Sequence, residues 1–307
     1  MEYYIGIDYG GTKLLIGQVS SEGKLLSAME FPTGTKNQRE ATCYLEECLE
    51  SYKKHTKDIE KVKAAGVGII GISDNRTGIW HSINHEKGEN IPLAAMVSRI
   101  LGVPTAIDND VRSGIKAELY WGHGKYSNDF VYISVGTGLA AGLVIDGKVL
   151  RGANQNSGEI GHTTVLNSPR EHCVCGRIGC AELIASGAGI GKRAKELLQD
   201  EKITAKEVFQ MAKAGDSLCL TIAEEAGIVL GEVIENLVRT SDPDTVVLGG
   251  GVMEDSWFFE LVKERLNPIT MRGVRNGVQL STFLPSKVGI LGAAAVGKEY
   301  WERMKMK

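Results

Sequence analysis

The sequence predicts an α/β protein built from two copies of one domain. Residues 131–150 repeat the layout of residues 5–26: a strand, a glycine-threonine turn, a second strand, a glycine-lysine turn and a third strand. A long helical pattern over about 216–240 and the strand TVVLG follow the second copy and lead to a third glycine turn, 249–251. Coincidence between two ordinary meanders is the alternative, because glycine turns are common. A duplicated domain would present both glycine-threonine turns towards a shared cleft.

The composition excludes several classes of protein. A length of 307 residues suits two domains, and a net charge of −3 without a basic run argues against nucleic acid as a partner. No apolar run reaches the roughly 18 residues that span a bilayer. Because Glu2 and Asp8 lie in a strand-like start, we expect no signal peptide. The cysteines indicate thiols in a reducing compartment, so we expect a cytoplasmic protein that does not contact membranes.

The first element is a β-meander, YYIGIDY followed by LLIGQVS and LLSAMEF. Its first turn consists of Gly10, Gly11, Thr12 and Lys13. Glycines without side chains let backbone N–H groups approach an anion, although most glycine turns only reverse the chain. Asp8, at the end of the first strand, either holds Mg²⁺ or anchors the turn. We expect an amphipathic helix over 38–63 and a buried strand, AAGVGIIGI, after it.

Polar residues lie between the strand-like segment VPTAI and a helix that runs to about Trp121. They are Asp108, Asn109 and Asp110. Asn and Asp cap helices well, so a cap is one interpretation. A carboxylate at the carboxyl end of a strand can instead accept a proton from a substrate hydroxyl. The local sequence leaves both interpretations open.

The densest cluster of chemically active residues lies in the segment 158–182. Its cysteines are Cys173, Cys175 and Cys180. Glycines between them permit turns that bring three thiolates to one point, where His162 is the expected fourth ligand of a structural zinc. His172 is the alternative ligand, although it directly precedes a cysteine, and a loop of unliganded thiols is the remaining interpretation. A zinc here would hold Glu159 and Glu182 in a fixed geometry.

These motifs resemble those of the ROK (repressor, ORF, kinase) family of sugar kinases and sugar-sensing regulators over essentially the whole chain. The resemblance rests on GIDYGGTK, Asn109-Asp110, GEIGH, CVCGRIGCAE and VVLGGGV. It implies an actin-like ATPase fold, in which two ribonuclease-H-like domains hold ATP and hexose in the cleft between them. The first domain would span 1–116, completed by a C-terminal helix over 290–307, and the second would span 117–289. The family also implies a homodimer.

The resemblance assigns roles to matching positions, and Asp110 matches the general base. The sugar-binding positions are Asn84, Asn109, Asp110, Glu159, His162 and Glu182. The nucleotide-binding positions are Asp8, Gly10, Gly11, Thr12, Lys13, Gly136, Thr137, Gly138, Gly249, Gly250 and Gly251. The zinc ligands are His162, Cys173, Cys175 and Cys180. The implied cofactors are ATP, Mg²⁺ and a structural Zn²⁺, and the implied partners are a small-molecule sugar and ATP.

The implied function is an ATP-dependent hexose kinase acting on the 6-hydroxyl of an aldohexose or N-acetylhexosamine. Glucose, N-acetylmannosamine, N-acetylglucosamine, allose and a glucoside are the candidate substrates. The alternative is a non-catalytic, sugar-sensing regulator of the same family. Regulators carry a helix-turn-helix ahead of the first phosphate turn, whereas here the first strand begins within three residues of Met1. We therefore expect a kinase.

The chain departs from the family pattern near the expected sugar pocket. The loop after Asn84 reads HEKG where the family has a loop of Leu-Pro-Gly-Trp character. The segment 68–72 reads GIIGI instead of G-x-P-G-P, and Arg112 follows shortly after the base. A site built for polar substituents rejects analogues that lack them, so we hypothesise that plain glucose is not the best substrate. A solvated loop that does not meet the sugar is the alternative.

Overall fold

The computed structural model describes residues 2–34, 37–56, 58–83, 88–166 and 171–306. Contacts divide the chain into two compact units, Met1–Lys125 with Ser286–Lys307, and Tyr126–Pro285. Within the described ranges, no helix combines the length and apolarity needed to cross a membrane.

In chain order, the elements are β1 (Tyr3–Tyr9), β2 (Lys13–Ser20), β3 (Leu25–Pro32), α1 (Gln38–His55), β4 (Val62–Ile69), β5 (Ile72–Asp74), β6 (Ile79–Ser82), α2 (Leu93–Leu101), β7 (Thr105–Asn109), α3 (Asp110–Trp121), β8 (Phe130–Val135), β9 (Leu139–Ile145), β10 (Lys148–Val149), α4 (Glu182–Ala185), α5 (Gly187–Leu198), α6 (Ala205–Lys213), α7 (Ser217–Ser241), β11 (Thr245–Gly249), α8 (Ser256–Glu264), α9 (Pro268–Met271), β12 (Val278–Leu280) and α10 (Pro285–Lys305).

The main sheet of the first unit has the strand order β3-β2-β1-β4-β7. β1, β2 and β3 form the predicted antiparallel meander, whereas β1, β4 and β7 run parallel to one another. In this register Asp8 pairs with Gly68, which pairs in turn with Asp108. The carboxyl ends of β1 and β7 therefore meet at one edge of the sheet, where ligands commonly bind in α/β proteins.

The second unit repeats this arrangement with the order β10-β9-β8-β11-β12. β8 to β10 form an antiparallel meander, and β8, β11 and β12 are parallel. The first hairpin loops differ by one residue, because Tyr9 pairs with Leu14 whereas Val135 pairs with Leu139. The predicted internal repeat is confirmed, and so is the predicted α/β architecture of both units.

Each unit has its own apolar core. In the first unit, buried side chains of β1, β2, β4 and β7 pack with α1 and α2. In the second, inward-facing side chains of β8, β9 and β11 pack with α5 to α8. Strand residues alternate between the two faces of a sheet, and Val131, Ile133 and Val135 of β8 accordingly share one core.

α1 is shorter than predicted. It begins with a capping box between Asn37 and Glu40, in which each side chain accepts a backbone N–H of the other residue. It ends at His55, soon after Tyr52, the last residue of its buried face. The prediction of a helix over 38–63 is wrong beyond that point, because the chain turns and enters β4.

α10 packs directly on the backbone of the first unit's sheet. A Cβ atom on Gly6 would lie 2.0 Å from the carbonyl oxygen of Ile290, and one on Gly66 would lie 1.9 Å from that of Ala293. Glycine is required at both strand positions because any side chain would push the helix away. The C-terminal helix is thereby part of the first unit's interior, where Ile290 and Ala293 are buried.

Candidate functional site

The junction of β7 and α3 carries the first group of candidate residues. Asn109 is the N-cap of α3, and its Oδ1 accepts hydrogen bonds from the backbone N–H groups of Val111 (3.0 Å) and Arg112 (3.4 Å). Its side-chain amide donates to the carbonyl oxygen of Gly71 at 3.4 Å. Asp110 is the first residue of the helix and accepts from the Val111 N–H at 2.9 Å. Because Asn109 provides the cap, the helix does not depend on Asp110 for it.

Asp8, at the end of β1, interacts electrostatically with Asp110. Burial, and secondarily the negative charge of Asp110, raises the pKa of Asp8 to about 7, while Lys13 acts in the opposite direction. Gly289 of α10 makes room for this carboxylate, since a Cβ atom there would lie 2.0 Å from Asp8 Oδ2. Burial and the negative charge of Asp110 both disfavour the ionised form of Asp8, and a cation with oxygen ligands would offset both effects, so the site fits Mg²⁺.

The turn between β1 and β2 is held by backbone hydrogen bonds. The Gly10 N–H donates to the carbonyl oxygen of Lys13 at 2.9 Å, and the Thr33 N–H donates to that of Thr12 at 3.2 Å. Gly11 and Thr12 are exposed, and a Cβ atom on Gly11 would meet no other residue within 4 Å. The turn thus offers accessible backbone for a phosphate, and this role stays a prediction.

A charge ladder, consisting of Asp108, Arg112, Lys116 and Glu299, joins β7, α3 and α10, and its first three side chains are buried whereas Glu299 is partly exposed. Asp108 Oδ1 accepts from Arg112 Nε at 3.1 Å and from the backbone N–H of Asn109 at 3.0 Å. Lys116 Nζ lies 3.7 Å from Asp108 Oδ2 and also pairs with Glu299. The sequence predicts Arg112 near the sugar pocket, but its side chain is only 6% exposed and pairs with Asp108 instead.

Part of the predicted sugar loop lies outside the described residues, namely Asn84, His85, Glu86 and Lys87. The roles predicted for these side chains therefore stay predictions. Glu89, which follows this loop, forms an ion pair with Arg39 of α1, with 2.7 Å between Oε1 and Nε. Its carboxylate is therefore engaged by the first turn of a helix.

The predicted zinc ligands lie together in the second unit. The ligand atoms of His162, Cys173, Cys175 and Cys180 are all within 4.8 Å of one another. Cys173 Sγ is 3.4 Å from His162 Nδ1, and Cys175 Sγ is 3.5 Å from Cys180 Sγ. Nitrogen and sulfur ligands around a tetrahedral zinc stand about 3.5–3.8 Å apart, given metal–ligand bonds of about 2.0–2.3 Å. The donor set and its spacing therefore fit Zn²⁺.

The structure also separates the two candidate histidines. Among the described residues, the cluster contains His162, whereas His172 is exposed. Without a cation, burial raises the pKa of the Cys180 thiol to about 12, and the neighbouring thiols add to this effect. A bound cation would offset it, because a coordinated thiol loses its proton.

Acidic side chains flank the cluster. His162 directs Nδ1 at Cys173, and its other ring nitrogen, Nε2, lies 4.0 Å from Glu159 Oε2. That nitrogen can donate to a carboxylate or a hydroxyl while Nδ1 holds a metal. Glu182, the first residue of α4, accepts the backbone N–H of Leu139 through Oε2 at 2.9 Å. Glu182 is thereby held against the turn between β8 and β9.

A pocket of about 980 Å³ lies within the second unit. Two of the predicted glycine turns contribute to its wall, through Gly136, Thr137 and Gly251. Its apolar lining includes Ile203, Phe209 and Val252, and its charged lining includes Lys192, Lys195, Glu196, Glu201, Lys206, Glu254 and Asp255. A volume of this order accommodates a nucleotide-sized ligand.

The other predicted glycines around this pocket serve close packing. A Cβ atom on Gly249 would lie 2.6 Å from the Tyr132 hydroxyl oxygen, and one on Gly250 would lie 2.4 Å from the carbonyl oxygen of Val135. Gly250 also has a φ of 90°, which favours glycine. Gly138 lies beside the carboxylate of Glu182. These glycines bring β11 and the β8–β9 turn together behind the pocket wall.

The residues that α5 and α6 contribute to the pocket were not predicted from the sequence; among them are Lys192, Lys195 and Lys206. A signal was present, because residues 187–191 read GAGIG at the start of α5, immediately before a lysine. Helix N-termini favour phosphate groups, and glycines allow close approach. The run is short, and the spacing of its glycines does not match a known motif. It therefore cannot be assigned to the pocket from the sequence alone.

A model of the ROK family matches residues 4–300 of this chain. A glucokinase of Halalkalibacterium halodurans is 28% identical, covering 99% of this chain and 97% of the relative. An N-acetylmannosamine kinase of Citrobacter koseri is 34% identical, covering 81% of this chain and 83% of the relative. A xylose repressor of Caldicellulosiruptor bescii is 33% identical over 71% of this chain, and the match covers 57% of the repressor.

Solved structures share the fold and confirm the predicted fold class, the actin-like ATPase fold. A ROK hexokinase from Thermus thermophilus superposes with a TM-score of 0.80 at 28% identity, covering 98% of this chain and 99% of the hexokinase. A ROK family glucokinase from Streptomyces griseus, in complex with glucose and AMPPNP, superposes with a TM-score of 0.77 at 25% identity. That match covers 97% of this chain and 99% of the glucokinase.

Proposed function

This chain belongs to the ROK family, and we propose that it is an ATP-dependent sugar kinase that phosphorylates the 6-hydroxyl of an aldohexose or N-acetylhexosamine. The relatives named glucokinase and N-acetylmannosamine kinase support the activity. The glucokinase solved with glucose and AMPPNP supports ATP as the phosphate donor. Within this chain, the proposal rests mainly on one observation, the carboxylate pair Asp8 and Asp110 at the carboxyl edge of the first sheet.

Asp110 is the proposed general base. Asn109 caps α3, so the Asp110 carboxylate can accept the proton of the 6-hydroxyl as that oxygen attacks the γ-phosphorus. The new bond joins the sugar oxygen to the γ-phosphorus, while the bond from that phosphorus to the bridging oxygen breaks and ADP leaves.

Asp8 is the proposed site for Mg²⁺, which it would hold directly or through waters. When bound, Mg²⁺ would neutralise negative charge on the phosphate groups. The exposed backbone of the Gly10–Thr12 turn and the ammonium group of Lys13 are proposed to hold phosphate oxygens. Phosphoryl transfer needs little covalent chemistry from a protein, so positioning by these groups is their main contribution.

The pocket of the second unit is the proposed adenosine and phosphate site. Its apolar residues Ile203, Phe209 and Val252 suit a purine, and Lys192 and Lys195 of α5 suit phosphate oxygens or ribose hydroxyls. The glycine turns in its wall let a ligand approach the backbone closely. Gly138, Gly249 and Gly250 contribute by shaping those turns.

The proposed sugar ligands are the positions that the family resemblance assigns to the sugar. They are Asn84, Asn109, Asp110, Glu159, His162 and Glu182. Carboxylate groups accept hydrogen bonds, and amide groups both accept and donate them. Together they can bind several hydroxyls at once, as a hexose requires. Zn²⁺ on His162 and the cysteines is proposed to be structural, because four protein ligands leave no open position for a water.

A homodimer in the cytoplasm is the proposed form of the protein. None of the described cysteines forms a disulfide, which suits a reducing compartment. The dimer follows the pattern implied by the family resemblance.

A non-catalytic, sugar-sensing regulator is the second candidate function, and the match to the xylose repressor favours it. A regulator needs the sugar ligands but has no use for a base and a cation site beside the sugar. The presence of both Asp8 and Asp110 therefore supports the kinase.

A panel of hexoses, N-acetylhexosamines and glucosides, assayed for sugar-dependent ADP release, tests the proposal. We expect at least one sugar to release ADP, and a substituted hexose to show a higher kcat/KM than glucose, since polar groups reject analogues that leave them unpaired. Binding of a sugar, detected as a rise in Tm, without ADP release from any member of the panel would favour the regulator instead.

A further inference from the structure

A short connecting segment, residues 180–188, joins the metal cluster to the wall of the nucleotide pocket. It begins at Cys180, a fully buried member of the cluster. It ends at the first turn of α5, where the N–H of Gly187 donates to the carbonyl oxygen of Gly136 at 2.8 Å and that of Ala188 donates to Thr137 at 3.2 Å. The β8–β9 turn, which lines the pocket, is therefore fastened to this segment.

Glu182 makes the third attachment between the segment and the turn. Its Oε2 accepts the N–H of Leu139, the residue that follows the turn, at 2.9 Å. A Cβ atom on Gly138 would lie 2.7 Å from this oxygen, and one on Gly161 would lie 3.2 Å from it. Glycines on both sides thus leave a slot that the carboxylate fills. A charged acceptor on a backbone N–H is among the stronger hydrogen bonds in proteins.

Ser186 makes the connecting segment stiff. Its hydroxyl donates to the carbonyl oxygen of Glu182 at 2.7 Å and accepts the N–H of Gly189 at 3.0 Å, which caps α5. The side chain is fully buried. Near the other end, the N–H of Ala181 donates to the carbonyl oxygen of Thr163, one residue after the metal ligand His162. Hydrogen bonds therefore connect the residues beside the metal cluster to the segment that carries Glu182.

We infer that Glu182 is a positioning residue for the nucleotide, in addition to its proposed contact with the sugar, and that it makes nucleotide affinity depend on the metal cluster. The inference rests on the proposed function, because it assumes that the pocket holds ATP. A carboxylate can accept several hydrogen bonds, so one oxygen can hold the Leu139 N–H while the group also meets a sugar hydroxyl. A turn that is only partly in the binding conformation binds its ligand more weakly in proportion.

The test measures the Kd of AMPPNP with Mg²⁺ by calorimetry, without sugar, on the full chain. We expect Glu182→Ala to weaken binding by about tenfold, the scale of a hydrogen bond to a charged group. Glu182→Gln keeps an acceptor oxygen and should recover part of the loss. Glu235→Ala is the matched control, because Glu235 accepts the backbone N–H of Asn267 at 2.6 Å and lies outside the pocket lining. We expect it to bind AMPPNP as the wild type does.

Removal of zinc tests whether the zinc site and Glu182 affect AMPPNP affinity through the same connection. A zinc-selective chelator, with Mg²⁺ in excess, should weaken AMPPNP binding to wild type but add little to the defect of Glu182→Ala, because the two changes break the same connection. Circular dichroism verifies that each protein is folded. AMPPNP affinities of both Glu182 variants equal to wild type would overturn the inference, as would additive effects of chelator and substitution. A wild type that binds no AMPPNP would overturn the proposed function itself.

Discussion

At the scale of single residues, the pair Asp8 and Asp110 shows how environment sets chemistry. Both are ordinary carboxylates in the sequence, and the register of β1, β4 and β7 brings their strand ends to one edge. Burial and mutual repulsion then raise the pKa of Asp8 to about 7. Perturbed carboxyls of this kind cluster at functional sites.

The raised pKa of Asp8 predicts a particular dependence of stability on pH in Mg²⁺-free protein. Between about pH 4 and pH 7, the folded state keeps the Asp8 proton while the unfolded state has lost it, so the free energy of unfolding falls as pH rises. Asp8→Asn removes this effect, and the variant should therefore gain stability relative to wild type across that range. The measurement compares Tm at about pH 5 and about pH 8.

Asp200→Asn serves as the control for this experiment, because Asp200 is exposed. The difference in Tm between Asp200→Asn and wild type should be nearly the same at both pH values. A Tm difference between wild type and Asp8→Asn that does not change with pH would contradict the account of Asp8.

The residue types of the candidate site and their clustering in the sequence were largely predictable, whereas the groups that each side chain contacts were not. The metal ligands stand close together in sequence, so their convergence could be predicted from turn glycines. The preference for His162 over His172 required the fold, since only the fold shows which ring faces the sulfurs. Arg112 was misleading because its partner, Asp108, becomes buried only when α3 packs on the sheet and on α10.

At the scale of elements, the charge ladder fixes α3 on β7 and α10. Asp108 of β7 and Arg112 in the first turn of α3 are four residues apart, and both are buried. We predict that Arg112→Ala destabilises the protein by about 3–5 kcal/mol, because it leaves the Asp108 charge buried with one partner fewer. The double variant Asp108→Asn with Arg112→Gln should recover most of this loss, since it removes the charge as well. Urea unfolding measures the free energy of unfolding of both variants. A double variant less stable than the single variant would show that the buried charge of Asp108 does not cause the loss.

The loop that carries the metal cluster is the second element with a testable prediction. We expect one zinc per chain in protein purified without chelator, measured by elemental analysis. Cys175→Ser should lose most of this zinc and lower Tm, because binding energy at a structural site is also folding energy. Cys43→Ser is the control, as Cys43 is an exposed cysteine of α1 outside the cluster. Protein without zinc, or full zinc in Cys175→Ser, would disprove the site.

Strands and tight turns were the most predictable elements. The meander strands of both units match the alternation and glycine spacing of the sequence. The end of α1 was missed because charged residues continue the helical pattern after the buried face stops at Tyr52. The pocket contributions of α5 and α6 were missed because they depend on packing of distant segments, which no local motif encodes.

At the scale of the whole molecule, the duplication was readable from the sequence because both copies keep the same order of strands and turns. The return of α10 to the first unit depends on Gly6 and Gly66, two glycines whose purpose appears only when the helix is in place. The predicted domain boundaries, 1–116 with 290–307 and 117–289, stay a prediction. Compact units defined by contacts need not coincide with domains that move independently.

General-base catalysis by Asp110 is the step on which the proposed transfer of the γ-phosphate to the 6-hydroxyl of a hexose depends. The most direct test identifies the product by NMR after incubation of the best panel sugar with ATP and Mg²⁺, for wild type and Asp110→Asn. We predict a sugar 6-phosphate and ADP in equal amounts from wild type, and turnover lower by about a hundredfold or more in the variant, with AMPPNP binding retained. Phosphate at another position, or near-full turnover by Asp110→Asn, would contradict the account.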